Sequence, residues 1–134
     1  MITVDNPISR VFAQWSEAVK PEVGTGHYSM DESLTDVKAP YARLLLMGMP
    51  FTNGDLEGNE ASVDLTMQVD SFASGNKSLS KVYAIDAASH QTMRDMGFRR
   101  IYGPELMRNA DDSIKRVVSR YTMIYTGYLL NEIE

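Results

Sequence analysis

Residues 61–100 read ASVDLTMQVDSFASGNKSLSKVYAIDAASHQTMRDMGFRR, and two periodicities meet in them. The first is strict alternation. Val63, Leu65, Met67 and Val69 fall on one side, and Ser62, Asp64, Thr66, Gln68 and Asp70 on the other. That is the period of a strand with one dry face and one wet face. After Phe72 the run Ala-Ser-Gly-Asn-Lys breaks the pattern. Leu79, Val82, Ile85, Ser89, Met93 and Met96 then follow at spacings of three and four, which is one stripe of a helix. Gly97 ends the helix, and Phe98-Arg99-Arg100-Ile101-Tyr102 returns to strand-forming residues. Strand, helix and returning strand make one packing unit, with a helix laid over a sheet.

Working outward, the chain of 134 residues is expected to form a single domain spanning 1–134, large enough to bury a core without covalent staples. It has no cysteine, which excludes disulfides, thiolate metal sites and thiol catalysis. The longest apolar run, Leu44-Leu45-Leu46-Met47, is far too short to span a bilayer. The first ten residues, MITVDNPISR, have no basic n-region or apolar h-region, so no signal peptide is expected. A soluble protein folded in a reducing cytoplasm, with no membrane partner, is the expectation. The formal net charge of -5 argues against nucleic acid as the main partner. Its distribution is uneven: acids outnumber bases over residues 1–70, and bases outnumber acids over 98–120. One reading is a solvated surface with chance unevenness. The other is a head-to-tail contact between copies.

Upstream, Asn6-Pro7 is a helix-start signal, followed by the apolar stripe Ile8, Val11, Phe12, Trp15, Ala18 and Val19. Pro21 is expected to stop this helix, and Trp15 to anchor the core. Residues 22–40 show no sustained period and read as an irregular connection. Residues 41–49, YARLLLMGM, read as a well-covered strand. Residues 50–60, PFTNGDLEGNE, read as a protruding acidic hairpin loop before the alternating strand. Downstream, residues 98–106 are expected to form a strand that Gly103-Pro104 bends or ends. Residues 114–125, IKRVVSRYTMIY, form a last long strand, and a short tail follows whose apolar residues dock. The expected fold is α+β: an antiparallel sheet of about four strands with helices packed on one face, in the order α-β-β-α-β-β.

No constellation for catalysis stands out, and the chain is read as not an enzyme. Asp86 and His90 are four apart on one helix face and are expected to pair there. Ser89 points a third of a turn away, and no nucleophile elbow accompanies them. Asp55, Glu57 and Glu60 lack the spacing of a calcium loop, His27 and His90 lie in different elements, and no phosphate-cradling glycine loop is present. No metal or cofactor is therefore expected.

Three segments carry a resemblance: Gln68-Val69-Asp70-Ser71-Phe72, Met96-Gly97-Phe98-Arg99-Arg100, and Arg116-Val117-Val118-Ser119-Arg120-Tyr121. With the order of elements, they resemble the tail terminator (tail completion, or tail-to-head joining) proteins of long-tailed bacteriophages, over residues 41–127. Residues 23–38 depart from that pattern. The resemblance implies a virion protein made in the host bacterial cytoplasm. Copies, six in number, close into a ring on the head-proximal end of the tail tube, end its polymerisation and present a surface to the head connector. Its partners would be itself, the tail tube protein and the head connector, with DNA passing through the ring without specific binding. Arg99, Arg100, Arg116 and Arg120 would meet acids such as Asp64 and Asp70 on a neighbouring copy. The loop residues Asn53, Asp55, Glu57 and Glu60 would contact the tube or line its opening. A head-side neck or adaptor protein, or a non-enzymatic small α+β binding module, are the alternatives.

Overall fold

The computed structural model describes residues 5–30, 39–52, 62–108 and 113–132. The loop residues Asn53, Asp55, Glu57 and Glu60, and residues 31–38 of the irregular connection, lie outside the described residues.

Helix α1 spans Ile8–Val23. The Asn6 side-chain oxygen accepts from the Ile8 N–H at 2.9 Å, satisfying one of the first free donors of the helix. Pro21 does not stop it, contrary to expectation. Proline removes the N–H that would bond four residues back and crowds the carbonyl there, that of Glu17, an exposed residue, and only two helical residues follow Pro21. The helix runs on to Gly24, whose φ of +96° carries the chain out and whose N–H bonds the Lys20 carbonyl.

The strands are β1 (Tyr28–Ser29), β2 (Tyr41–Gly48), β3 (Phe51–Thr52), β4 (Ser62–Ser74), β5 (Arg99–Met107) and β6 (Ile114–Tyr125), with helix α2 (Ser78–Met96) between β4 and β5 and a short 3-10 turn at Leu130–Glu132. They form one sheet in the order β1-β2-β4-β6-β5, with β3 paired to the start of β4. The fold is α+β. Its long elements run α-β-β-α-β-β, and along β2, β4, β6 and β5 each strand is antiparallel to its neighbour. The sheet is nevertheless mixed: β1 pairs parallel to β2 within the connection read as irregular, because the chain leaving α1 turns at Gly24–Gly26 and runs alongside β2 for two residues.

The core lies between the sheet and the two helices. Val63, Leu65, Met67 and Val69 of β4 meet Val11, Trp15 and Val19 of α1 and Ile85, Met93 and Met96 of α2. Tyr121 and Tyr125 of β6 and Leu129 of the tail complete the cluster. Both helices thus cover one face of the sheet. The helix stripe holds from Val82 to Met96, but Leu79, expected inside, is 49% exposed, in a first turn whose other residues are also exposed or half-exposed. β4 also outruns the alternation that announced it. It continues through Phe72 and Ala73 to Ser74, and the turn is made by Gly75 (φ +80°) and Lys77 in a left-handed conformation. The face expected to be wet is partly dry: Gln68, Asp70 and Phe72 are all buried.

Candidate functional site

The outer face of the sheet, away from the helices, carries a row of arginines fixed by strand register. Arg43 of β2 lies opposite Asp70 of β4, Phe72 opposite Arg116 of β6, and Gln68 opposite Arg120. On the far side Arg120 lies opposite Tyr102 of β5. Partners directly opposite share a face, so these side chains meet. Arg43 donates Nε and a terminal nitrogen to the same oxygen of Asp70, Oδ2, which also accepts from Arg116 at 3.2 Å. Gln68 donates to the other carboxylate oxygen at 2.9 Å and accepts from Arg120 Nε at 2.9 Å. The guanidinium carbons of Arg43 and Arg116 sit 5.6 and 5.9 Å from the ring centre of Phe72, and that of Arg120 lies 5.1 Å from Tyr102. Asp70 is wholly buried beneath these cations.

A second polar network joins α2 to the sheet on the inner face. Ser119 Oγ donates to Asp86 Oδ1 at 2.7 Å, and Arg100 donates to Asp86 Oδ2 at 3.3 Å and to the Tyr121 hydroxyl at 3.2 Å. That hydroxyl reaches His90 Nδ1 at 3.4 Å. Burial, with Arg100 and Arg94 nearby, holds the His90 imidazole below its usual pKa against the opposing pull of Asp86. Burial also pushes the Tyr121 hydroxyl upward. The expected Asp86–His90 pair does not form: Asp86 turns into the sheet toward Ser119 and Arg100, and His90 turns to Tyr121. Ser89 accepts from the Trp15 indole N–H at 3.0 Å. Ser119 therefore faces a carboxylate directly, without an imidazole between them to take its proton, so the group does not form a hydrolytic triad.

Arg10 organises a third cluster. It binds Asp5 at 2.7 Å, Glu132 at 3.0 Å and the Tyr125 hydroxyl, tying the segment before α1 and the 3-10 turn to the end of β6. His27 Nδ1 lies 2.9 Å from the Pro40 carbonyl, holding the approach to β2. Among the described residues no group of three His, Asp or Glu is placed to hold a metal, and no helix is long and apolar enough to cross a membrane.

The residues singled out as an interface thus divide into two sets. Arg100, Arg116, Arg120 and Asp70 bond within the chain, to Asp86, Asp70, Gln68 and Arg43. Arg99 and Asp64 have no ion pair among the described residues. Both lie on the outer face and border an open depression with Thr122 and Ile124, the latter 63% exposed. The sequence reading missed the surface that the strand order creates. β5 is an edge strand, exposed or half-exposed along its whole length, with Ile101 and Leu106 about half in solvent. The strand-forming residues of 98–106 gave no sign of which strand would be last in the sheet. A scan of family models matches none to this chain, and a search of curated proteins finds no match.

Proposed function

We propose that this chain is a structural protein of a long-tailed phage, a ring-forming tail terminator that caps the head-proximal end of the tail tube and offers the joining surface to the head. The observation that carries this reading is the one-sided architecture. Two helices cover one face of the sheet, and a nine-residue edge strand with large apolar side chains is left in solvent. Such a strand is a surface to be covered by another chain. The titratable groups support an assembly role over chemistry, because Asp70, Asp86 and their arginines satisfy one another inside the subunit. The order of the long elements and the three segments quoted above supply the link to phage tails.

Electron microscopy of the purified protein tests the reading. Rings with a central hole, together with termination and joining of tails that lack a terminator, are the expected result. Single compact particles at every concentration, with or without tube protein, would overturn it. If rings join heads and leave tail length unchanged, the protein sits on the head side of the neck.

A further inference from the structure

Asp86 has two basic side chains for neighbours, Arg100 of β5 and His90 one turn on in its own helix, and it bonds the first. That bond is weakly made. At 3.3 Å it is longer than the about 2.7–2.9 Å usual between opposite charges. The rest of the guanidinium is poorly held, since Arg100 Nε is buried with no hydrogen-bond partner. The ladder beside it is also interrupted, because the β5–β6 register shifts between Arg100 and Tyr102. A guanidinium only donates, so the Tyr121 oxygen accepts from Arg100 at 3.2 Å and leaves its own proton for His90 Nδ1, 3.4 Å away. The chain of bonds from Arg100 through Tyr121 to His90 therefore needs Nδ1 to be an acceptor, which only the neutral imidazole offers.

We propose that a proton on His90 makes Asp86 change partners, from Arg100 to His90, and so unlatches the start of β5 from α2. An imidazolium has two N–H donors and no acceptor, so the Tyr121 oxygen would stand between two cationic donors. The same proton gives Asp86 an opposite charge at the i to i+4 spacing of its own helix. Arg100, repelled by the imidazolium and deprived of its carboxylate, then turns to water, which its 20% exposed side chain already touches. His90 is half-buried, so a proton reaches it without unfolding. α1, β4, β5, β6 and the 3-10 turn pack against α2. Of these, β5 sets Arg100 and β6 the Tyr121 hydroxyl against the imidazole, while α2 itself adds Arg94 and Asp86; among the described residues no charged group of α1, β4 or the turn acts on it. Burial and the two arginines keep the proton off while the latch is closed. Moving Arg100 away removes part of that opposition, so the released form binds the proton more tightly and acid favours release. The device works within one subunit, whether or not copies assemble.

Amide hydrogen exchange of the full chain, corrected for the intrinsic effect of pH and followed beside the NMR titration of the His90 imidazole, tests the exchange of partners. As the imidazole takes its proton, protection at Arg99, Arg100 and their β6 partners Tyr121 and Thr122 is expected to fall by about tenfold, while the β2–β4 ladder keeps its protection. Tenfold is the change that a one-unit difference in imidazole pKa between the latched and released forms produces. His90→Gln, which carries no charge at any of these pH values, is expected to hold β5 closed throughout. His90→Lys, a cation throughout, is expected to leave the start of β5 open even at neutral pH. Unchanged protection of β5 across the titration would overturn the proposal. So would loosening shared equally by the β2–β4 ladder, or a pH response that survives in His90→Gln. If His90→Lys fails to fold, the wild-type and His90→Gln profiles still decide.

Discussion

Arg43 lies directly across the ladder from Asp70, and its guanidinium holds a carboxylate that no solvent reaches. Arg116 shares the same oxygen from the other side. A buried charge is tolerable only while its partners remain, because desolvation costs several kcal/mol per ion. Asp70→Asn is expected to lower stability by about 3–5 kcal/mol, leaving two arginines around a neutral amide. Arg116→Ala, removing the more exposed partner, is expected to cost about 1 kcal/mol. Urea midpoints read both, and equal losses would contradict the central place given to Asp70.

Burial and two arginines disfavour the proton on His90 in the folded protein. The unfolded chain takes that proton near 6.5, the folded chain at a lower pH. In between, the unfolded state binds more protons, so stability rises with pH and falls as pH drops below 6.5. Asp5 and Glu132 act in the same sense lower down. The Tyr125 hydroxyl and Arg10 hold Asp5 below 3.8, and the Leu129 N–H and Arg10 hold Glu132 below 4.5. Their contribution is present above those values and is lost as pH falls through the folded pKa. His90→Gln is expected to flatten the stability profile just below pH 6.5. An imidazole titrating above 6.5 by NMR would refute the assignment.

Gly103 has φ +87°, and a Cβ built there would lie 2.2 Å from the Val118 carbonyl oxygen. Gly103→Ala must distort the β5–β6 ladder or abandon it. The expected cost is at least about 1–3 kcal/mol from the left-handed backbone alone. Faster amide exchange confined to β5 and its partners on β6 would show where the strain is released.

The single tryptophan reports on the junction of α1 and α2. Its indole N–H donates to Ser89, both side chains being fully buried. Ser89→Ala leaves that donor unpaired and is expected to cost about 1–3 kcal/mol, with a shift in the tryptophan emission. Ser89→Thr, which keeps the acceptor, should recover part of the loss.

The parts of the fold legible in sequence were those set by local period. β6 runs over the residues its composition marked, and Val63 to Val69 line the core as their alternation required. What was not legible depends on strand order. Asp70 looked like a solvent-facing acid because its neighbours alternate, yet register places Arg43 and Arg116 over it. Asp86 looked tied to His90 because both lie on one helix face, yet Ser119, thirty-three residues away, offered a better donor from the sheet. Charged residues bond whatever the tertiary fold brings near, and a single sequence does not state which strands are neighbours.

Strand β4 is shared property: β2 pairs along one side of it and β6 along the other, in a ladder running from Val63–Tyr125 to Ser74–Ile114. The chain is therefore two local hairpin-like halves, β2–β4 and β5–β6, zipped by contacts between residues roughly 40 to 60 apart in sequence. Helix α2 lies in the stretch of chain that this ladder closes, and helices form far faster than distant strands pair. Substitutions along β4 should thus slow refolding in proportion to the stability they remove, while those at the β5 edge should chiefly speed unfolding.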